Sequence, residues 1–155
     1  MKLRLIAAGV RLPEWIDAGF RDYQKRLSKP LVLCLEEIPV ARRIGQNAGQ
    51  AIAREGQAML AAIGKGDFVV QMQVTGRSMS TEELAAWLKT RMQAGRDLAF
   101  LIGGPDGLSP ACRERADFSW SLSALTFPHA LARVILAEQL YRAASLNAGH
   151  PYHRG

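Results

Sequence analysis

The sequence predicts an α/β domain: a mainly parallel sheet with helices on both faces. Three observations carry that expectation. Short apolar runs of strand length alternate with segments of helical period from one end of the chain to the other. Proline or hydroxyl residues mark the places where several of those helices start. No low-complexity linker, block of like charge or internal repeat breaks the alternation, so the chain reads as one domain, 1–155.

Taken in order, Leu3 to Ala8 is a short apolar strand closed by Gly9. Pro13 then stands where a helix starts, with Trp15, Ile16, Phe20 and Tyr23 recurring at helical spacing. Leu31-Val32-Leu33-Cys34-Leu35 makes a second strand. After a basic turn holding Arg42, Arg43 and Gly45, the spacing predicts a helix from about Asn47 to Ile63. Phe68-Val69-Val70-Gln71-Met72 is the third strand. Ser80 with Glu83 forms a capping box that opens a helix carrying Leu84, Trp87 and Leu88. The fourth strand, Leu98-Ala99-Phe100-Leu101-Ile102, runs straight into Gly103-Gly104-Pro105-Asp106-Gly107. Ser109 as N-cap and Pro110 as first helical residue start a short helix. A fifth strand is expected around Phe118 to Leu125, and a long helix from about Pro128 to Leu146, with Thr126 or Phe127 as its cap.

In that long helix Leu131, Val134, Ile135, Leu136, Ala137, Leu140, Tyr141, Ala143, Ala144 and Leu146 spread around much of the circumference. A helix apolar on more than one face must be covered on more than one side. The sheet covers one; either further elements of the same chain or a partner subunit covers another.

Composition narrows the class. No apolar run approaches the roughly 20 residues of a membrane span, and the stretch after Lys2 is too short and too interrupted by charge for a secretory signal. A cytoplasmic protein is expected. Cys34 and Cys112 lie far apart, with no second cysteine or histidine at metal-ligand spacing, so they read as buried thiols in a reducing compartment and no metal is expected. Twenty Lys and Arg against 14 Asp and Glu give a net charge of +6 and a pI near 9.8, which suits a polyanionic partner.

Parallel sheets bind ligands at the carboxyl ends of their strands, so the loops after the third, fourth and fifth strands are the places to seek chemistry. The glycines of Gly103 to Gly107 let a backbone approach a ligand closely or make a tight strand-to-helix turn; the spacing alone allows both. Trp120 to His129 packs small residues and hydroxyls between strand and helix. It reads equally as a purine-binding edge and as a strand end followed by a cap. The tail, His150-Pro151-Tyr152-His153-Arg154, gathers two of the three histidines with a tyrosine and an arginine, groups that move protons, stack on bases and grip phosphate. Chain ends are also where an idle, disordered tail is common. No nucleophile elbow, paired acidic loop or His-Glu metal motif supports a hydrolase or metalloenzyme. The glycine loop also lacks the dinucleotide fingerprint and the acidic residue about 20 positions on that a nicotinamide oxidoreductase needs.

Three stretches together resemble one family: Leu101 to Ser109, Trp120 to His129, and Asn147 to Arg154, with Met1-Lys2-Leu3 and Trp15 near the start. The family is the ribosomal large-subunit pseudouridine N3-methyltransferases of the SPOUT class. The resemblance implies a C-terminal trefoil knot, which composition and periodicity do not predict, since chains almost never thread loops. It also implies a homodimer and S-adenosylmethionine as methyl donor, bound by Met72, Gly103, Gly104, Ser123, Ala124, Leu125, Thr126, Phe127 and Pro128. The acceptor it implies is 23S rRNA in the assembled large subunit or ribosome. In the tail, His153 is the candidate for proton handling, Tyr152 for stacking or orientation, and Arg154 for anion stabilisation. Lys25, Arg26, Lys29, Arg42, Arg43 and Arg77 are candidate phosphate contacts, each equally at home as a solvated surface charge. The chain departs from the family pattern at Met72-Gln73 and Gly76-Arg77, where Leu-Asp and Gly-Lys are usual, and at Asp106, where glutamate is usual. No role of an acidic residue at position 73 carries over to Gln73. A related knotted methyltransferase acting on transfer RNA, and a non-catalytic ribosome-assembly factor with the same fold, are the alternatives.

Overall fold

A computed structural model of the chain describes residues 1–40 and 48–154. The expected basic turn with Arg42, Arg43 and Gly45, and Asn47 as helix start, lie outside the described residues. The elements are β1 Lys2–Ala8, α1 Glu14–Arg26, β2 Val32–Ile38, α2 Ala48–Ala62, β3 Phe68–Ser78, α3 Thr81–Ala94, β4 Leu98–Ile102, α4 Pro110–Arg115, β5 Phe118–Ser121 and α5 His129–Asn147, followed by a short 3₁₀ helix Pro151–Arg154. The strands stand in the order β2-β1-β4-β3-β5, and every neighbouring pair is parallel.

A strand at the centre of a covered parallel sheet is buried on both faces, which is why β1 and β4 read as continuous apolar runs. All five residues of β4 are buried. Alternate residues then divide between two cores. Leu3, Leu5, Leu98 and Phe100 face α1, α3 and α5, where they meet Phe20, Leu84, Leu88, Leu136 and Leu140. Ile6, Ala8, Ala99 and Leu101 face the other way, onto Met59 of α2 and Cys112 of α4. Truncating a core side chain such as Phe100 to alanine removes packing on the order of 3–5 kcal/mol.

The caps follow the sequence in α3 and α4. The Ser80 hydroxyl accepts from the Glu83 amide at 3.1 Å and the Glu83 carboxylate accepts from the Ser80 amide at 3.4 Å. The Ser109 hydroxyl accepts from the Cys112 amide at 3.2 Å.

Several expectations need correcting. Trp15 shares the helical spacing of Ile16 and Phe20 but points outward and is 65% exposed. Cys34 is half-buried, while Cys112 is buried, its thiol 3.5 Å from the Gly56 carbonyl and raised in pKa by that burial. The cap of α5 is Pro128, with no side-chain bond, and not Thr126 or Phe127. The fifth strand stops at Ser121 instead of Leu125, because serine hydroxyls take over the local backbone: Ser121 donates to the Ser123 carbonyl at 2.9 Å, and the Leu125 amide donates to the Ser123 hydroxyl at 3.0 Å. Such side-chain bonds compete with a strand ladder and turn the chain out of the sheet.

β3 runs further than expected, to Ser78, by shifting register against β5 between Met72 and Arg77. Gly76 makes this possible, since a Cβ there would lie 2.8 Å from the Trp120 backbone. α5 is flanked by α1 and α3 and underlain by the sheet, which buries Leu136, Ala137, Leu140 and Ala143 within the chain. Leu131, Val134 and Ile135 keep partial exposure. Among the described residues no helix is long and apolar enough to cross a membrane.

Candidate functional site

At the carboxyl ends of β3, β4 and β5 lies a cavity of about 390 Å³. Three of its walls come from β3 itself and from the chain segments that leave β4 and β5. Met72, Gln73 and Val74 form one, where β3 shifts register. The turn after β4, from Gly103 to Leu108, forms the second, and the segment from Leu122 to Pro128 forms the third. The first turn of α5 closes the cavity with His129 and Ala132.

The glycine turn takes its shape from close backbone approach. A Cβ on Gly103 would lie 2.6 Å from the Gly107 carbonyl carbon, and the Gly107 amide donates to the Gly104 carbonyl at 3.0 Å. Only glycine at 103 allows that turn to fold against itself and still leave its face open to the cavity. The Ser121 and Ser123 bonds fix the path of the third wall. Of the residues that the sequence assigns to donor binding, Met72, Gly103, Gly104, Ser123, Leu125, Thr126, Phe127 and Pro128 line this one cavity. Ala124 is exposed and does not line it.

Among the described residues no Asp, Glu, Lys or Arg lines the cavity. An apolar, backbone-rich pocket of this size suits an organic ligand held by a few backbone groups, and it holds no charge to trap one fixed ion. His129 is the one lining side chain that titrates near neutral pH. Its pKa is lowered, first by burial and then by the charge of Arg133 one turn on.

Arg133 was not anticipated from sequence. It is 2% exposed, and its guanidinium donates to the carbonyls of Ala8 at 3.2 Å and Gly9 at 2.7 Å and to the Glu37 carboxylate at 2.7 Å, while its Nε finds no partner. It thereby ties the start of α5 to the ends of β1 and β2. No local pattern in the sequence marks it, since α5 also carries Glu138, Gln139 and Arg142.

The tail lies elsewhere. Tyr152 packs edge-on against Tyr141, ring centroids 4.6 Å apart, and its hydroxyl lies 3.1 Å from that of Tyr23 and 3.3 Å from the Glu138 carboxylate. Burial, the bond to Tyr23 and the nearby carboxylate all push the phenol pKa up, so Tyr152 keeps its proton. Glu138 is also held by Arg142 at 2.8 Å. His153 Nδ1 lies 2.8 Å from the His150 carbonyl. A carbonyl only accepts, so that nitrogen donates and Nε2 is the basic one in the neutral ring. Arg154 is exposed. None of His153, Tyr152 and Arg154 lines the cavity of its own chain. Glu138 sits nine residues beyond His129, which is about 13 Å along α5 and two and a half turns round it, so the tail's anchor is on the far side of the helix.

Comparison with known proteins bears on the fold and the family. By structure the chain is similar to a probable methylase family protein from Haemophilus influenzae, at 13% identity and a TM-score of 0.56, covering 97% of this chain and 69% of that one. It is likewise similar to a probable methyltransferase from Bordetella pertussis, at 17% identity and a TM-score of 0.56, covering 91% of this chain and 95% of that one. At such identities the likeness is one of fold. Residues 1–153 match the family model described as "Predicted SPOUT methyltransferase". Over nearly its whole length, therefore, the chain belongs to the SPOUT methyltransferase family.

Proposed function

We propose that the chain methylates N3 of a pseudouridine in 23S rRNA, on the assembled large subunit or ribosome, using S-adenosylmethionine, and that it works as a cytoplasmic homodimer with the C-terminal segment threaded as a trefoil knot. The observation that carries this reading is the convergence of the glycine turn and the serine-rich segment on one uncharged cavity at the strand ends.

The donor's sulfonium supplies an already electrophilic methyl group. What remains for the protein is alignment and exclusion of water. The turn at Gly103 and Gly104 and the segment from Ser123 to Pro128 bring backbone groups to the donor, with Met72 closing the β3 side. A lining free of fixed charge neither repels the sulfonium nor traps it as an ion pair.

The tail supports a dimer, because its anchor on α5 faces away from its own cavity. In the proposed arrangement a second copy delivers Tyr152, His153 and Arg154 to that cavity. Lys25, Arg26 and Lys29 on one side and Arg77 near the end of β3 are exposed and add phosphate contacts.

Mass spectrometry of 23S rRNA from cells lacking the protein tests the reading, before and after treatment of their ribosomes with purified protein and donor. A single methyl appearing on one pseudouridine is expected. Methylation of transfer RNA in place of ribosomes, or no transfer by a protein that binds ribosomes, would sink it.

A further inference from the structure

Methylation at N3 releases a proton, and two histidines of the chain compete to take it: His153 of the tail and His129, built into the cavity wall. We infer that His129 accepts the N3 proton of the acceptor base. This rests on the methyl-transfer reading above and adds the identity of the base to it.

The geometry favours His129 on three counts. It lines the cavity of the same chain that holds the glycine turn, and among the described residues no Asp, Glu, Lys, Arg, Cys or Tyr shares that lining. Its ring is held over the end of β1, where Nε2 would lie 3.6 Å from a Cβ on Gly9 and Arg133 Nη2 3.3 Å from the same point. Gly9 has φ +114, so the chain can pass beneath both side chains only with glycine there.

The third count is electrostatic. Arg133 cannot turn away, because Ala8, Gly9 and Glu37 hold its guanidinium. Burial first, and then the fixed cation four residues along the helix, favour the neutral imidazole. Neutral imidazole is the form that can accept a proton, and it places no second positive charge beside a sulfonium.

The step balances as follows. The N3 lone pair forms a bond to the methyl carbon as the carbon–sulfur bond breaks, and that pair stays on sulfur, giving the neutral thioether. N3–H turns strongly acidic as the new bond forms, and its proton passes to the imidazole, which releases it to water after the product leaves. His153, which does not line the cavity of its own chain, hydrogen-bonds the RNA.

Single-turnover methylation of large subunits by rapid quench, at saturating labelled donor, decides the matter with His129→Gln and His153→Gln, alongside donor affinity from calorimetry. Glutamine keeps hydrogen bonding and approximate size but cannot carry the proton, and its melting curve reports folding. The expected result is a fall of about 100-fold or more for His129→Gln, the scale of a lost general base, with donor Kd within about threefold and partial rescue of His129→Ala by free imidazole. His153→Gln is expected to weaken ribosome binding, measured by co-sedimentation. A near-normal rate for His129→Gln overturns the inference, as does a loss explained entirely by weaker donor binding or a large chemical defect in His153→Gln alone. If His129→Gln does not fold, imidazole rescue of His129→Ala decides, and absence of rescue counts against it. No transfer by the unaltered protein, by contrast, removes the pseudouridine reading itself.

Discussion

Gly103 and His129 mark the two sides of the cavity, and each makes a prediction at its own scale. A Cβ on Gly103 would collide with the Gly107 carbonyl carbon, a backbone atom that cannot swing aside. Gly103→Ala is therefore expected to open the glycine turn, costing about 1–3 kcal/mol of stability, and to weaken donor binding at least tenfold by calorimetry. Unchanged donor affinity would place the donor elsewhere. His129 has a folded pKa below its ordinary value of 6.5, so the unfolded chain takes up the proton first as pH falls. Its contribution to stability is complete above pH 6.5 and is lost as pH drops toward the lowered folded value. Urea midpoints measured from pH 7.5 downward should fall less in His129→Gln than in the unaltered protein; equal slopes would contradict the assigned shift. The glycine turn was legible as a turn in the sequence, but its spacing alone allowed a ligand-binding and a purely structural role alike, and only its combination with the serine-rich segment and the tail singled it out. Arg133 was not, because its burial depends on carbonyls of Ala8 and Gly9 at the opposite end of the chain, and no local pattern marks that pairing.

At the scale of elements, α5 is anchored at its start by Arg133 and at its far side by the tail. Arg133→Met keeps the bulk of the side chain but leaves the Ala8 and Gly9 carbonyls without that donor. Each buried group left unsatisfied costs about 1–3 kcal/mol, while Glu37, 37% exposed, can return to water. A loss of roughly 2–5 kcal/mol in urea denaturation is expected, and a loss below about 1 kcal/mol would show that Arg133 is dispensable to the fold. Tyr152→Phe keeps the ring packing on Tyr141 and removes the hydroxyl near Tyr23 and Glu138, so it should cost no more than about 1 kcal/mol. Helix starts at Ser80 and Ser109 could be read from the chain, since a cap and its partner lie three residues apart. The end of β5 could not: the pattern from Phe118 to Leu125 alternates well enough for a strand, and only the serine-to-backbone bonds stop it at Ser121. The β3 extension past Met72 was hidden for a similar reason, because its pairing with β5 resumes only after a shift that Gly76 permits.

For the whole molecule, fold class followed from periodicity, and the location of the site followed from the parallel sheet, whose strand ends gather loops from distant parts of the chain. Strand order is different. That β4 lies between β1 and β3 is decided by tertiary packing of two nearly equivalent apolar strands, which single-chain periodicity does not rank. The relation of the tail to the cavity was likewise beyond the sequence, since it depends on which side of α5 Tyr152 chooses. The proposed delivery of the tail across a dimer predicts that mixing Gly103→Ala with an Arg154→Ala protein restores methylation, each hybrid holding one intact cavity beside one intact tail. No recovery in confirmed hybrids would mean that the tail acts on its own chain or not at all. All of this depends on one property of the molecule, that its strand-end cavity holds an activated methyl donor. Calorimetric titration of the full chain with S-adenosylmethionine measures that most directly. Saturable binding of one donor per chain, lost or weakened at least tenfold in folded Gly103→Ala, is the result predicted; absence of binding by the folded protein, or binding untouched by that substitution, would contradict it.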